Sequence, residues 1–142
     1  MTADGKYSYD MLINGISLHD WVTEVNKYNS IKNGWKIFPL KKGAFGYDNL
    51  AMCIGYIHSK IDSDTTLEEM ADMVHEGWIL NYVYWRDNQP WNRADYIYHK
   101  PTNKLGDDRR NKCAETSHRM LPKDERDKDI IIAEFLKHQL IN

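Results

Sequence analysis

The stretch TTLEEMADMVHEGWILNYVYW, residues 65–85, decides the fold because it carries the clearest helix start in the chain. Thr65 and Thr66 each stand three residues before a glutamate, the spacing at which the two side chains cap a helix reciprocally. The apolar residues that follow recur at helical spacing along one stripe. They are Leu67, Met70, Ala71, Val74, Trp78 and Trp85. The pattern predicts a helix over residues 66–86.

Similar signals predict three more helices, over residues 17–29, 49–61 and 122–140. Ser17 stands three residues before Asp20 as a cap, and Pro122 suits the first turn of the last helix. Residues 1–12 are predicted to be a loosely held lead-in, and the polar residues 99–112 to be loop. We expect any strand to be short and confined to about 35–38 or 91–99. The sequence therefore predicts a mainly α domain with a long irregular, aromatic-rich segment and at most short β pieces.

The composition is typical of one soluble domain. The 142 residues have a hydrophobic content of 42% and a net charge of -2, which disfavours a protein built to hold nucleic acid. No signal peptide or run of about 18 apolar residues is visible. Cys53 and Cys113 are the only cysteines and are expected to be reduced thiols. We therefore expect a cytoplasmic protein without a nucleic-acid or membrane partner.

Signatures of catalysis are missing from the sequence. His75–Glu76 does not begin a zinc-binding HExxH motif, because Ile79 stands where the second histidine would be. Ser117 and His118 are adjacent but lack the setting of a nucleophile and its base. No glycine-rich stretch matches a phosphate-binding loop. The sequence favours a non-catalytic protein with no catalytic residues, no metal and no cofactor.

Residues 78–98 combine three tryptophans and four tyrosines with two arginines and two aspartates. Rings that carry a polar group form either an unusual core or the lining of a pocket for a flat, charged molecule. The stretch GDDRRNK, residues 106–112, is either a solvated loop or a cluster whose Arg109, Arg110 or Lys112 meets phosphate or carboxylate. His75 is either a helix-surface histidine that hydrogen-bonds a nearby loop or a ligand contact. The sequence leaves these alternatives open.

Three blocks in a fixed order resemble the ryanodine-receptor repeat (RyR) domain over residues 67–140. The blocks are LEEMADMVHEGW (67–78), GDDRRNK (106–112) and LPKDERDKD (121–129). The matching positions are Ala71, His75, Glu76, Trp78, Asp107, Asp108, Lys112, Leu121, Pro122, Glu125, Arg126 and Asp129. The family's Gly-Trp-x-Tyr-Gly turn is replaced by the longer segment 85–98, and residues 1–60 have no counterpart.

The resemblance implies a small helical module over residues 67–142, with residues 1–66 as a helical extension packed on it in one folding unit. Such repeats can hold an adenine nucleotide between aromatic residues, and Trp78 is at the family position linked to adenine stacking. Stand-alone copies occur in bacteria and phages. The implied function is non-catalytic recognition of an adenine nucleotide or a nucleotide-derived signal, for example by sequestration in a phage–bacterium conflict.

Two alternatives stay open beside ligand binding. One is a protein–protein interaction module that uses exposed Trp, Tyr and Arg side chains, and the other is an enzyme acting on a nucleotide derivative. The sequence leaves the oligomeric state open, a homo-oligomer included. For the ligand we expect a pocket between the third helix and residues 85–112. The candidate ligand-binding residues are His75, Trp78, Tyr82, Trp85, Arg86, Trp91, Arg93, Tyr96, Asp108, Arg109 and Lys112.

Overall fold

Helices make up most of the computed structural model, which describes residues 1–88 and 104–141, with side chains from residue 108 onward in the second range. The elements are β1 (Leu12–Ile13), β2 (Ile16–Ser17), α1 (Leu18–Lys32), α2 (Phe45–His58), α3 (Leu67–Asn88), α4 (Lys104–Ala114), a 3-10 turn at His118–Met120 and α5 (Lys123–Ile141). The prediction of a mainly α fold is confirmed. The predicted irregular, aromatic-rich segment lies largely outside the described residues.

Two predicted capping interactions are present. The Asp20 amide donates to Ser17 Oγ at 3.1 Å at the start of α1. At the start of α3, the Thr66 amide donates to Glu69 Oε1 at 3.0 Å, and the Glu69 amide donates to Thr66 Oγ1 at 3.1 Å. This reciprocal pair satisfies two amides that have no partner within the helix. Both helices therefore start where their local sequence predicts.

Helix α2 lies against α3 at very short range. It begins at Phe45, four residues before the predicted start, and the N-cap residue before it, Ala44, makes no side-chain capping bond. The crossing is close because Gly77 of α3 has no side chain. An ideal Cβ on Gly77 would lie 2.8 Å from the Cys53 Cα. This contact fixes the separation of the two helices.

Helix α4 corrects the prediction of a loop over residues 99–112, of which 104–112 are helical. The segment has no apolar stripe, so its sequence shows no helical periodicity. Contacts with α3 and α5 hold it instead. The Tyr82 hydroxyl donates to Asn111 Oδ1 at 2.9 Å, and Arg109 Nε donates to Glu125 Oε1 at 2.8 Å. Tertiary contacts therefore outweigh weak local preference here.

A hairpin near the N-terminus corrects the prediction of where strands occur. β1 and β2 pair Leu12 with Ser17 and Ile13 with Ile16 in an antiparallel hairpin. Asn14 and Gly15 turn it with φ values of 51° and 78°, as a two-residue hairpin turn requires. The expectation that strands occur only near 35–38 or 91–99 is therefore wrong. Residues 35–38 form no strand, and 91–99 are outside the described residues.

The predicted loose lead-in, residues 1–12, is held against α2. The Ala3 amide donates to Asp48 Oδ2 at 2.7 Å, and the Tyr9 hydroxyl donates to Asp48 Oδ1. Asp48 is fully buried, and Tyr9 is 7% exposed. A buried carboxylate needs such donors, so these residues are part of the packed structure.

One core joins the two halves of the chain. Its buried residues come from the hairpin and from α1, α2, α3 and α5, including Ile13, Val22, Ile54, Met70 and Leu136. A smaller cluster joins Phe45 of α2 to Tyr82 and Trp85 of α3. Residues 1–66 therefore share one core with the rest. Among the described residues, no helix is both long and apolar enough to cross a membrane.

Candidate functional site

A row of stacked side chains runs along one face of α3. The rings of His75 and Trp78 are nearly parallel at 8°, with centroids 5.7 Å apart. Trp78 and Tyr82 follow at 4° and 5.1 Å, and the Arg86 guanidinium carbon lies 5.7 Å from the centre of the Tyr82 ring. Residues three and four positions apart are neighbours on a helix surface. Trp78 therefore has one aromatic neighbour on each side along the helix.

His75 begins this row and is only 4% exposed. Its Nε2 lies 3.0 Å from the Cys113 carbonyl oxygen and 2.7 Å from the Thr116 carbonyl oxygen. Two carbonyl acceptors require a proton on this nitrogen. The sequence-based alternative in which His75 hydrogen-bonds a neighbouring loop fits these contacts, but the side chain is buried and not on the helix surface.

Asp129 of α5 lies beside two histidines. The His118 Nδ1 is 2.8 Å from Asp129 Oδ2, and the His75 Nδ1 is 3.7 Å from the same oxygen. Burial raises the pKa of the Asp129 carboxyl above its usual value, and the hydrogen bond from His118 and the nearby His75 offset this only in part. The three side chains tie α3, the 3-10 turn and α5 together behind the aromatic row.

A cavity of about 170 Å³ lies in front of His75 and Trp78. Residues of α1, α2, α3, α4 and α5 and of the α1–α2 loop line it. They are Asn29, Trp35, Asn49, Cys53, Val74, His75, Trp78, Cys113, Leu121, Glu125, Lys128, Asp129 and Ile132. We call this the inner cavity. Apolar and polar residues both line it, and the polar ones come from both halves of the chain.

A second cavity of about 320 Å³ lies on the α4 side of Trp78. It shares four lining residues with the inner cavity, and two arginines complete it. They are Trp78, Cys113, Glu125, Lys128, Arg109 and Arg110. We call this the outer cavity. The shared residues make the two cavities neighbours, with Trp78 between them.

The charges of the outer cavity are partly paired. Arg109 Nη2 lies 2.7 Å from Asp124 Oδ2, and the same guanidinium pairs with Glu125. Lys128 Nζ is 3.4 Å from Glu125 Oε1. The hydrogen bonds of Arg109 with Glu125 and Asp124 raise the pKa of Arg109, and the bond from Arg109 lowers the pKa of Asp124. An anionic ligand here would meet fixed cations, in competition with the Glu125 carboxylate.

Three of the predicted site residues serve packing between α3 and its neighbours. Tyr82 and Trp85 are almost fully buried, and Trp85 packs edge-on against Phe45 with centroids 5.6 Å apart. Arg86 Nη1 donates to Asn111 Oδ1 at 3.0 Å, and Arg86 Nε pairs with Asp87 at 2.8 Å. None of the three lines the inner or outer cavity. Their predicted contact with a ligand stays a prediction.

The other predicted residues divide into three groups. His75, Trp78 and Arg109 line a cavity. Asp108 and Lys112 of α4 are exposed and line neither. Trp91, Arg93 and Tyr96 lie outside the described residues. The structure thus brings three of the eleven predicted side chains to the two cavities.

Several residues that line the cavities were not predicted from the sequence. Asn29, Trp35 and Cys53 come from the N-terminal extension, where the family resemblance offers no counterpart. Glu125 and Asp129 belong to a matched block, but their sequence context reads as the exposed first turns of a helix. One sequence signal could have indicated Lys128. It stands three residues after Glu125, which places both side chains on one face of α5.

Burial affects both thiols at the inner cavity. Burial raises the pKa of the half-buried Cys113 thiol, and burial raises that of Cys53 much further. A raised pKa lowers the fraction of thiolate, the nucleophilic form, at neutral pH. Within the described residues, no group of three or more His, Cys, Asp or Glu side chains could hold a metal ion.

Comparisons with known proteins leave the family open. No protein-family model matches the chain, and no curated protein and no solved structure matches it. The resemblance to the RyR domain therefore stays a prediction that rests on the three sequence blocks.

Proposed function

We propose that this protein is a non-catalytic module that binds an adenine nucleotide or a nucleotide-derived signal across the inner and outer cavities. One observation carries the proposal: Trp78 lines both the inner cavity and the outer cavity, and Arg109 and Arg110 add positive charge to the outer one. A nucleotide needs an aromatic contact for its base and cations for its phosphates side by side. The volumes together lie within the range of roughly 300–1,000 Å³ that is usual for ligand sites.

The base would enter the inner cavity and contact Trp78. His75 and Tyr82 flank the indole along the helix, so the base would meet its edge and the parts of its faces that they leave open. A base stacked on an open aromatic face gains about 1–3 kcal/mol, and the contact with the flanked Trp78 contributes less than that. The hydrogen bonds of His75 to two carbonyl groups hold the row in place before a ligand arrives. Such preorganisation lowers the cost of binding.

The phosphates would occupy the outer cavity. Charge-assisted hydrogen bonds from Arg and Lys to phosphate are about twice as strong as neutral ones. Binding would exchange the contacts of Arg109 and Lys128 with Glu125 for contacts with phosphate oxygens. We therefore expect the affinity to fall as salt rises.

The RyR resemblance supports the same ligand class, since the matched positions His75 and Trp78 line the inner cavity. It also suggests the role: in a bacterium or a phage, a module that binds without turnover would sequester a nucleotide signal. The N-terminal extension would contribute Asn29, Trp35 and Cys53 to the wall of the site. The ligand would then differ in detail from that of the family.

Thermal shift measurements test the proposal. We expect at least one of ATP, ADP-ribose, NAD and cyclic di- and trinucleotides to raise the melting temperature at millimolar concentration. A ligand at about 100 times its Kd stabilises a protein by about 2.7 kcal/mol. The variant Lys128→Ala should weaken binding by about 1.5–3 kcal/mol, the value of a hydrogen bond to a charged group.

Lys123→Ala is the matched control, because Lys123 is an exposed lysine of the same helix that pairs with Asp127 and lines neither cavity. Its affinity for the ligand should equal that of the wild type. If no nucleotide stabilises the protein, the ligand-binding proposal fails and the protein–protein interaction module becomes the leading alternative. If both lysine variants bind equally well, the outer cavity is not the phosphate site.

A further inference from the structure

The loop between α1 and α2 exposes large apolar side chains. The exposed fraction is 58% for Ile31 at the end of α1, 55% for Trp35, 44% for Ile37 and 63% for Phe38. Isolated exposed apolar residues are ordinary on protein surfaces, but a cluster indicates contact with a partner. Among the exposed large apolar side chains of the described residues, these four fall within eight positions. We call residues 31–42 the loop surface.

The same part of the chain is strongly basic. Lys27, Lys32, Lys36, Lys41 and Lys42 are all exposed, and no acidic residue occurs between Glu24 and Asp48. The whole chain has 19 basic and 21 acidic residues. The rest of the sequence therefore carries 14 basic residues against 21 acidic ones. The protein has a basic, apolar surface on an otherwise acidic molecule, which would orient it towards a negatively charged partner.

Hydrogen bonds hold the loop surface on α1. The Trp35 amide donates to the Ser30 carbonyl oxygen at 2.9 Å, and Asn26 Nδ2 donates to the Phe38 carbonyl oxygen at 2.9 Å. Gly34, with a φ of 70°, allows the turn between the end of α1 and Trp35. The Lys36 ammonium lies 5.7 Å from the Phe38 ring. One cation and one apolar ring of the loop surface are therefore presented together.

Three kinds of partner fit this chemistry less well. In a symmetric dimer through this face, the same lysines would oppose one another. The phosphates of a nucleic acid would pair with the lysines, and its bases could stack on Trp35. The aliphatic side chains of Ile31 and Ile37 do not stack on bases. Protein interfaces favour arginine and are depleted in lysine, and all five cations here are lysines.

We propose that the loop surface docks on an anionic phospholipid bilayer. Trp and Phe side chains are favoured at the level of the headgroups, where the aliphatic residues reach the acyl boundary. Exposed lysines are attracted by the negative surface potential of such a membrane. The docked protein lies on the bilayer and does not cross it. The sequence-based expectation of no membrane partner rested on the missing apolar run, which excludes a span and not a surface contact.

Sedimentation with lipid vesicles tests the proposal. The full chain is mixed with phosphatidylcholine vesicles, with or without about 30% phosphatidylserine, near physiological salt and at about 0.5 M salt, where charge attraction is screened. We expect binding to the anionic vesicles that falls at least tenfold at high salt, and little binding to the neutral ones. Equal binding to both vesicles, or no binding to the anionic ones, overturns the proposal; an acidic protein would then be the better partner.

Two double variants separate the charge from the apolar contact. Lys32→Glu with Lys36→Glu, and Ile37→Ala with Phe38→Ala, should each reduce anionic-vesicle binding at least tenfold. All four side chains are exposed, so circular dichroism should show an unchanged fold. Met120→Ala removes a side chain that is 76% exposed elsewhere on the surface and should leave vesicle binding unchanged. Loss of binding in Met120→Ala, or unchanged binding in either double variant, contradicts docking through this surface.

Discussion

Replacing Gly77 by alanine should destabilise the protein, although alanine is the better helix former. The new methyl group would lie 2.8 Å from the Cys53 Cα and 3.2 Å from its Sγ. The Cα belongs to the backbone, so relief requires α2 and α3 to separate. Overpacking of a tight core costs about 1–3 kcal/mol, and we expect the upper end here. The gain of about 1 kcal/mol in helix propensity leaves a net loss of about 2 kcal/mol.

Urea unfolding followed by far-ultraviolet circular dichroism measures this loss. Gly46→Ala is the control within α2, because its new methyl group would meet the Leu40 side chain at 3.6 Å, an ordinary contact. That variant should match or exceed the wild type by up to about 1 kcal/mol. A Gly77→Ala protein with the same urea midpoint as the wild type would refute the inference that the glycine sets the helix separation.

Two other predictions concern a cap and a buried tyrosine. Thr66→Ala should lower the free energy of unfolding by about 1 kcal/mol, since it removes half of the capping pair of α3. The control Thr23→Ala in α1 should change the free energy of unfolding by less than about 0.5 kcal/mol. An equal loss in both variants would contradict the cap. Burial raises the pKa of Tyr47 from 10.0 to about 12. The phenol therefore ionises in the unfolded chain before it does in the native one, and wild-type stability should fall across this pH range. Urea midpoints should fall less in Tyr47→Phe; an equal fall would show that other groups cause the loss.

Sequence patterns predicted the helices that have local start signals. Ser17 and Thr66 mark their helices because a cap depends on residues only three positions apart. Helix α4 has no such signal, since Tyr82 and Glu125, which hold it, are far away in sequence. The hairpin did have a signal: Asn14–Gly15 between short apolar pairs is typical of a two-residue turn.

The candidate site was predictable only in part, for the same physical reason. Trp78 and His75 stand out within one helix, and the resemblance marks both. Trp35 and Lys128 reach the inner cavity from opposite ends of the chain, and only the packing of α1, α2 and α5 on α3 brings them together. Burial also separates similar residues, since Trp85 is in the core while Trp78 lies at the cavities. In the sequence, both are tryptophans of the same apolar stripe, so the sequence does not distinguish them.

The burial of Cys53 gives the molecule an internal reporter of its own opening. Its thiol is 1% exposed, donates to the Val74 carbonyl at 3.3 Å and lies at the crossing with Gly77. Because Cys53 is 1% exposed, an alkylating reagent can reach it only after the packing loosens, either at the inner cavity or at the crossing of α2 and α3. The half-buried Cys113, near the C-terminal end of α4, needs a smaller opening. The labelling rates of the two cysteines would therefore separate the loosening of α4 from the loosening of the packing around Cys53 in the native protein.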